Sequence, residues 1–171
     1  VLRLSWERDG KQVLTHATFV VRRARGKRPA PVLLLAATNT WRAYNGTPFA
    51  LTPPERKQVW GTGGLGRDTA MPSFCLYRGH AAGQGTYQVG LRMPWPAAGP
   101  YVLYGGATDY SHLMRADRFS QAWLEEQGYG HDVISDVDLH RDPSQLKGYR
   151  AVMVVGHNEY WSLAMYRGVE S

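Results

Sequence analysis

Cysteine is almost absent: the chain of 171 residues contains one, Cys75. A single thiol cannot close an intramolecular disulfide, and it excludes a cysteine-based zinc site or a redox pair within the chain. That usage fits a cytoplasmic setting. Long apolar runs are missing as well. None approaches the roughly 18 residues needed to cross a bilayer, so no membrane-spanning helix is expected. There is no internal repeat and no low-complexity segment. Acidic residues are in short supply, 14 against 20 Lys plus Arg, for a formal charge of +6. The deficit is local: residues 1–30 hold eight basic groups (Arg3, Arg8, Lys11, Arg22, Arg23, Arg25, Lys27, Arg28) and two acidic ones (Glu7, Asp9), which accounts for the whole excess. A nucleic-acid-binding face spreads its basic stripe over a folded surface or interleaves it with stacking aromatics. A basic arm at one end does neither, so no nucleic-acid partner is expected. An initiator methionine is also missing, and the chain enters strand-like sequence at Val1, as a segment of a longer protein would.

What is present is a composition 43% hydrophobic, sufficient for one good core. Leu2, Leu4 and Trp6 alternate with polar neighbours, Asp9-Gly10 supplies a hairpin turn, and Val13 to Val21 forms a second extended run. Such a hairpin is marginal alone, so it is expected to close a larger β-sandwich-like domain. Arg22 to Pro31 then reads as a solvated linker, an inter-domain joint facing an acidic neighbour. The predicted division is residues 1–28, hairpin plus linker, and 29–171, the first part of an α/β domain.

Val32 to Ala37 is a short continuous apolar run, the mark of a strand buried on both faces of a parallel sheet. A Gly-, Pro- and aromatic-rich insertion over 45–106 follows, long enough to serve as a lid or part of a site. In Ser111 to Gln127 the apolar Leu113, Ala116, Phe119, Trp123 and Leu124 recur at three- and four-residue spacing, with Ser111 able to cap and Gly128 to stop the helix. His131 to Ser135 is a second strand, Asp142-Pro143 opens a short helix to about Lys147, Ala151 to Val155 is a third strand, and another helix follows Tyr160. This order predicts a doubly wound, mostly parallel α/β sheet, truncated at both ends relative to a natural domain.

Sites in such sheets lie beyond the carboxyl ends of the strands. Here those ends are Thr38 to Asn45, Asp136 to His140 and Gly156 to Ser162, all rich in polar and aromatic groups. The third occupies the turn where α/β hydrolases hold a nucleophile, but it has no cysteine and Ser162 comes too late. It offers His157 and Glu159, either a base or metal-ligand pair or a capped loop with a satisfied histidine and a helix-start glutamate. Asp136, Asp138 and Asp142 raise a magnesium site, against which Asp142 is explained by helix capping. Gly61-Thr62-Gly63-Gly64-Leu65-Gly66 has the form of a dinucleotide fingerprint without the preceding buried strand, and Cys75 has no assignable base. Both read as loop. Ten tyrosines are present, and spacing alone does not choose among them.

Thr38-Asn39-Thr40-Trp41-Arg42-Ala43-Tyr44-Asn45 taken with Gly156-His157-Asn158-Glu159-Tyr160-Trp161-Ser162 resembles the large (β) subunit of N,N-dimethylformamidase and its relatives. Ser73-Phe74-Cys75-Leu76-Tyr77, Arg92-Met93-Pro94-Trp95, Trp123-Leu124-Glu125 and Asp136-Val137-Asp138-Leu139-His140 fall in matching order, so the resemblance covers about residue 19 to the end. It implies an α/β fold similar to class I glutamine amidotransferases and hydrolysis of small formamides to formate and an amine. It also implies a mononuclear ferric iron held by two tyrosines and a glutamate, together with a small partner subunit and homo-oligomeric assembly. Carried over by position, the ligands are Tyr44, Tyr77 and Glu159, with Tyr87 or Tyr104 as alternatives to Tyr77 and His157 beside the metal. Ferric iron is a hard Lewis acid suited to phenolate and carboxylate oxygens. His157 or a carboxylate would move the proton that the leaving amine needs. Asn158 stands where relatives commonly carry Asp. The alternative implied by the same motifs is a non-catalytic amidotransferase-like scaffold or binding module.

Overall fold

Asp9 and Gly10 both carry positive φ, 51° and 70°, the pair of left-handed residues that a two-residue type I′ hairpin turn requires. The turn joins β1 (Leu2–Arg8) to β2 (Lys11–Ala17) in antiparallel register, from Leu2 opposite Ala17 to Arg8 opposite Lys11. The second strand ends at Ala17 rather than at Val21 as expected. Leu2, the first residue of β1, already pairs with Ala17, so β1 offers no further partner to residues 18–21. Leu2, Leu4 and Trp6 of β1 are exposed, and the Thr18 hydroxyl donates to the Ala98 carbonyl at 2.7 Å. The computed structural model describes residues 1–43, 91–92, 98 and 113–171. The chain divides into two units: Val1–Phe19 with Trp41–Ser111, to which the hairpin belongs, and Val20–Thr40 with His112–Ser171. Nearly all of the long insertion, including Tyr44, the glycine-rich 61–66, Cys75, Tyr77, Tyr87 and Tyr104, lies outside the described residues.

The second unit is built on three parallel strands. β3 (Val32–Ala36) lies between β4 (His131–Ser135) and β5 (Ala151–Val154), with Val32 opposite both His131 and Ala151. Successive side chains of a strand point to opposite faces, yet Leu33, Leu34 and Leu35 are all fully buried, so the central strand is covered on both sides. On the face carrying Leu33 and Leu35, the core also holds Ile134, Leu139 and Met165, with Leu146, Tyr149 and Trp161 packed against it. β5 is largely exposed, with no strand on its outer edge among the described residues. Among those residues no helix is long and apolar enough to cross a membrane. The mixed α/β class and the parallel sheet expected from the apolar runs are both present.

Two of the strand ends picked out by sequence are helical. Thr38–Ala43 forms α1 and Asp136–Arg141 forms α3, each starting directly after a strand. For α3 the cause is local: the Ser135 hydroxyl accepts from the Asp138 backbone N–H at 3.1 Å, and Asp138 Oδ2 accepts from the Ser135 N–H at 3.1 Å. This reciprocal capping box satisfies two donors that a helix start leaves orphaned. For α1 the cause is remote. Asp136, fully buried at the end of β4, accepts from the Asn39 backbone N–H at 2.8 Å and from the Thr38 hydroxyl. A carboxylate from the neighbouring strand thus caps the first helix.

The remaining helices follow the expected order with one rotation. α2 spans Met114–Glu126 with Leu113 at the cap position and no side-chain cap, and Ser111, the expected cap, lies outside the described residues. Gly128, at φ +73°, ends it as expected. Of the expected apolar positions Leu113 and Leu124 are buried, but Phe119 is 61% and Trp123 49% exposed, and Met114 and Asp117 take their place inside. At about 100° per residue, a helix that turns Asp117 inward must turn Phe119 outward. Asp117 faces in because its carboxylate accepts from the Ala37 N–H at 3.4 Å. Asp142 caps a 3₁₀ turn over Pro143–Leu146 by accepting from the Ser144 N–H at 3.1 Å, and α4 spans Leu163–Glu170 behind Ser162, whose hydroxyl accepts from the Met165 N–H at 3.2 Å.

The basic segment before β3 is bound to the α/β unit. Arg22 Nη1 pairs with Asp138 Oδ1 at 3.0 Å, and Arg23 Nε with Asp132 Oδ2 at 3.3 Å. The same Asp132 oxygen accepts from Tyr149 Oη at 2.9 Å and from the Ala30 N–H at 3.0 Å. The acidic neighbour of the linker is therefore the sheet that follows it. Burial raises the Tyr149 phenol above its ordinary value of 10.0; the Arg23 guanidinium pulls it down, and the hydrogen bond and charge of Asp132 push it up.

Two outcomes follow. Asp136→Ala removes the carboxylate that accepts from the Asn39 N–H and the Thr38 hydroxyl, and is expected to cost about 3 kcal/mol, read as a lower urea midpoint at unchanged slope. Tyr149, with a folded-state pKa above the unfolded one, contributes stability that is full below pH 10.0 and is lost as pH rises through the raised value. Tyr149→Phe should cost about 1 to 2 kcal/mol at neutral pH and remove that part of the alkaline decline, measured by urea unfolding as a function of pH.

Candidate functional site

Strand order along the sheet reverses at β3. The chain steps from β3 outward to β4 on one side, then returns across to β5 on the other. A crevice opens beyond the carboxyl ends where adjacent connections run in opposite directions, and ligands of open α/β sheets bind there. Between β3 and β5 that crevice is bounded by the start of α1 and by Gly156 to Tyr160, two of the three strand ends picked out by sequence.

The two ends are stitched together. The Glu159 backbone N–H donates to the Thr40 hydroxyl at 3.0 Å, and the Asn39 side-chain amide donates to the Tyr160 carbonyl at 3.2 Å. Thr40 is fully buried. Gly156 starts the loop at φ +64°, and a Cβ there would stand 2.7 Å from the Asp117 carboxylate, so the turn admits only glycine without displacement. Asp117 and Asp136 thus serve the site from beneath, one against Gly156 and Ala37, the other against Thr38 and Asn39.

On this frame His157 Nε2 lies 3.1 Å from Glu159 Oε2, with side chains 37% and 41% exposed. The two are an accessible imidazole and carboxylate in contact. Asn158, between them, accepts the Trp161 indole N–H on Oδ1. An indole nitrogen only donates, so it fixes the orientation of the amide and leaves Nδ2, a buried donor, without a partner among the described residues. An aspartate at this position would present an oxygen instead. Ser162, excluded as a nucleophile by its place in the sequence, caps α4 and lies 2.8 Å from His140 Nδ1.

Among the described residues no group of three His, Cys, Asp or Glu side chains is arranged to hold a metal. Asp136, Asp138 and Asp142, the trio raised for magnesium, instead cap α1, α3 and the 3₁₀ turn respectively. Glu159 is described. Tyr44, directly after α1, and Tyr77, in the insertion, lie outside the described residues. Sequence reading did not find the positioning groups Thr40, Asn39, Asp117 and Asp136. Their partners are 80 to 121 positions away, so no local pattern marks them, although the Ser135-x-x-Asp138 box was there to be read.

Over residues 1–171 the chain matches the family model described as N,N-dimethylformamidase beta subunit-like, C-terminal, and it belongs to that family. No curated protein matches it. For the stitching, Thr40→Val, which keeps the shape and removes the acceptor, should destabilise by about 1 to 3 kcal/mol in urea unfolding, whereas Thr40→Ser should stay close to the parent.

Proposed function

Proceeding from membership of the N,N-dimethylformamidase beta subunit-like family, we propose that this chain is part of an amide hydrolase that cleaves the C–N bond of small formamides to formate and an amine. The observation that carries the proposal is the His157–Glu159 pair at the strand-order switch point, accessible and held on backbone bonds to Thr40 and Asn39. An amidotransferase-like frame and a small partner subunit belong to the same reading, the latter suggested by the beta-subunit description of the family.

An iron centre suits the donor chemistry available. Glu159 is a partly exposed carboxylate, a hard oxygen donor of the kind ferric iron prefers, and Tyr44 follows the helix whose first turn is bound to the Glu159 segment. We assign Tyr44, Tyr77 and Glu159 as the residues that would hold it. When bound, such an ion supplies Lewis acidity for a carbonyl and lowers the pKa of water.

The chain's own residues account for binding and proton movement. Thr40 and Asn39 hold the Glu159 segment in place without touching substrate, which keeps a reacting centre within the tolerance that catalysis needs. His157 is the proton carrier: in contact with the Glu159 carboxylate, its imidazole delivers a proton to the departing nitrogen, since amines leave poorly unprotonated. Asn158 cannot take that part, because a carboxamide neither gains nor loses a proton near neutrality.

Full-length protein is expected to contain iron, to show the visible absorption of a ferric phenolate, and to release formate from N,N-dimethylformamide. Tyr44→Phe and Glu159→Gln should lose the metal and at least the ~100-fold in turnover that even hydrogen-bond partners of metal ligands cost. Active protein that is colourless and free of iron would overturn the metal assignment, and iron-loaded protein inert toward formamides would overturn the substrate class.

A further inference from the structure

A cavity of about 450 Å³ lies between the basic segment and the part of the α/β unit formed by β4, α3 and the turn that follows them. Its volume is within the roughly 300 to 1,000 Å³ usual for small-molecule sites. Arg22, Arg23 and Arg25 line it from the segment; Arg141, Gln145 and Tyr149 line it from the opposite wall. The segment bends over it through a turn in which the Lys27 N–H donates to the Ala24 carbonyl at 3.2 Å and Gly26 takes φ +80°, the third-position glycine of a type II turn. Arg25 and Gly26 sit at the tip.

The charges in this cavity are unevenly committed. Arg22 is paired with Asp138, and Arg23 with Asp132 and the Lys27 carbonyl. The side chains of Arg25 and Arg141 have neither hydrogen bond nor ion pair among the described residues. The two carboxylates in the lining are already engaged: Asp138 holds Arg22 and the Ser135 cap, and Asp142 holds Ser144. Four guanidinium groups against Asp138 and Asp142 of the lining and the Asp132 paired with Arg23 leave an excess of one positive charge, and the two uncommitted forks come from opposite walls. Guanidinium forks match the oxygens of phosphate and carboxylate in pairs, which a lysine cluster would not do.

We propose that this cavity binds a small multivalent oxyanion, bridging Arg25 of the segment and Arg141 at the end of α3. Two charges on the ligand answer the two uncommitted cations. Enclosure between two walls favours a small molecule over a polyanion, since two of the four arginines are neutralised by Asp138 and Asp132 and do not offer a continuous stripe to a nucleic-acid backbone. Occupancy adds a third link to those through Arg22 and Arg23, so the ligand also fastens the segment to the sheet.

The test is calorimetric titration of the full-length protein with pyrophosphate and with citrate, at a fixed ionic strength near 0.15 M where surface attraction is largely screened. One-site saturable binding of at least one probe is expected. It should weaken at least tenfold in Arg25→Gln and in Arg141→Gln, and stay unchanged in Arg8→Gln, an exposed arginine of the hairpin. Preference for pyrophosphate identifies a phosphoryl ligand and preference for citrate a polycarboxylate. Absence of saturable binding, equal affinity in the Arg25 and Arg141 variants, or tighter and steeply salt-dependent binding of a single-stranded oligonucleotide would each overturn the proposal. Both arginines are exposed, and unchanged urea midpoints in the variants separate loss of binding from loss of fold.

Discussion

The Asp136 carboxylate is the constraint on which the candidate site depends. It sits fully buried where β4 ends, and gathers the Asn39 N–H and the Thr38 hydroxyl from the strand beside it. A charge in that position is tolerable only if it is fully hydrogen-bonded, and the orphan donor at the start of α1 supplies a matching need. Each therefore holds the other. Because α1 is started there, Asn39 and Thr40 reach the loop after β5, and because they reach it, Glu159 and Tyr160 have fixed backbone partners. Asp117 performs the parallel service from α2, so close to Gly156 that no side chain fits between them.

Charge follows the same logic of pairing at a distance. The excess of +6 looks, along the sequence, like an arm for an acidic partner. In space, Arg22 and Arg23 meet Asp138 and Asp132 of the same unit, more than 100 positions away. Exposed pairs of this kind are each worth little, but Asp132 also receives Tyr149 and Ala30 and is itself mostly covered, so the contact is a network. Within the cavity beneath the turn, the guanidinium groups left over from this pairing are those of Arg25 and Arg141.

Much of the frame was legible. β4 was read to the residue, and β3 and β5 within one, because continuous apolar runs bounded by turn residues have few other uses; Asp9-Gly10 and Gly128 punctuate as their backbone freedom requires. The rotation of α2 was not legible. Phe119 and Trp123 have the spacing of a core stripe, and they lose that place to Asp117, which accepts from Ala37 just after β3 and stands against Gly156 just after β5. Hydrophobic periodicity records which residues are able to be buried; it does not record which helix needs a carboxylate beneath it.

By itself the sequence determined the class of the unit, the order of its elements, and the strand ends at which His157 and Glu159 stand, since these depend on composition and on patterns shorter than a helix. Its family membership also belongs to the sequence, as a match over residues 1–171. Only the tertiary structure decided that Thr38–Ala43 is a helix, that Thr40 and Asn39 bind the Glu159 segment, and that the basic linker lies on the sheet. The physical reason is the same in each case. These features rest on single hydrogen bonds or ion pairs between residues 80 to 121 positions apart, and a donor says nothing, in sequence, about where its acceptor is.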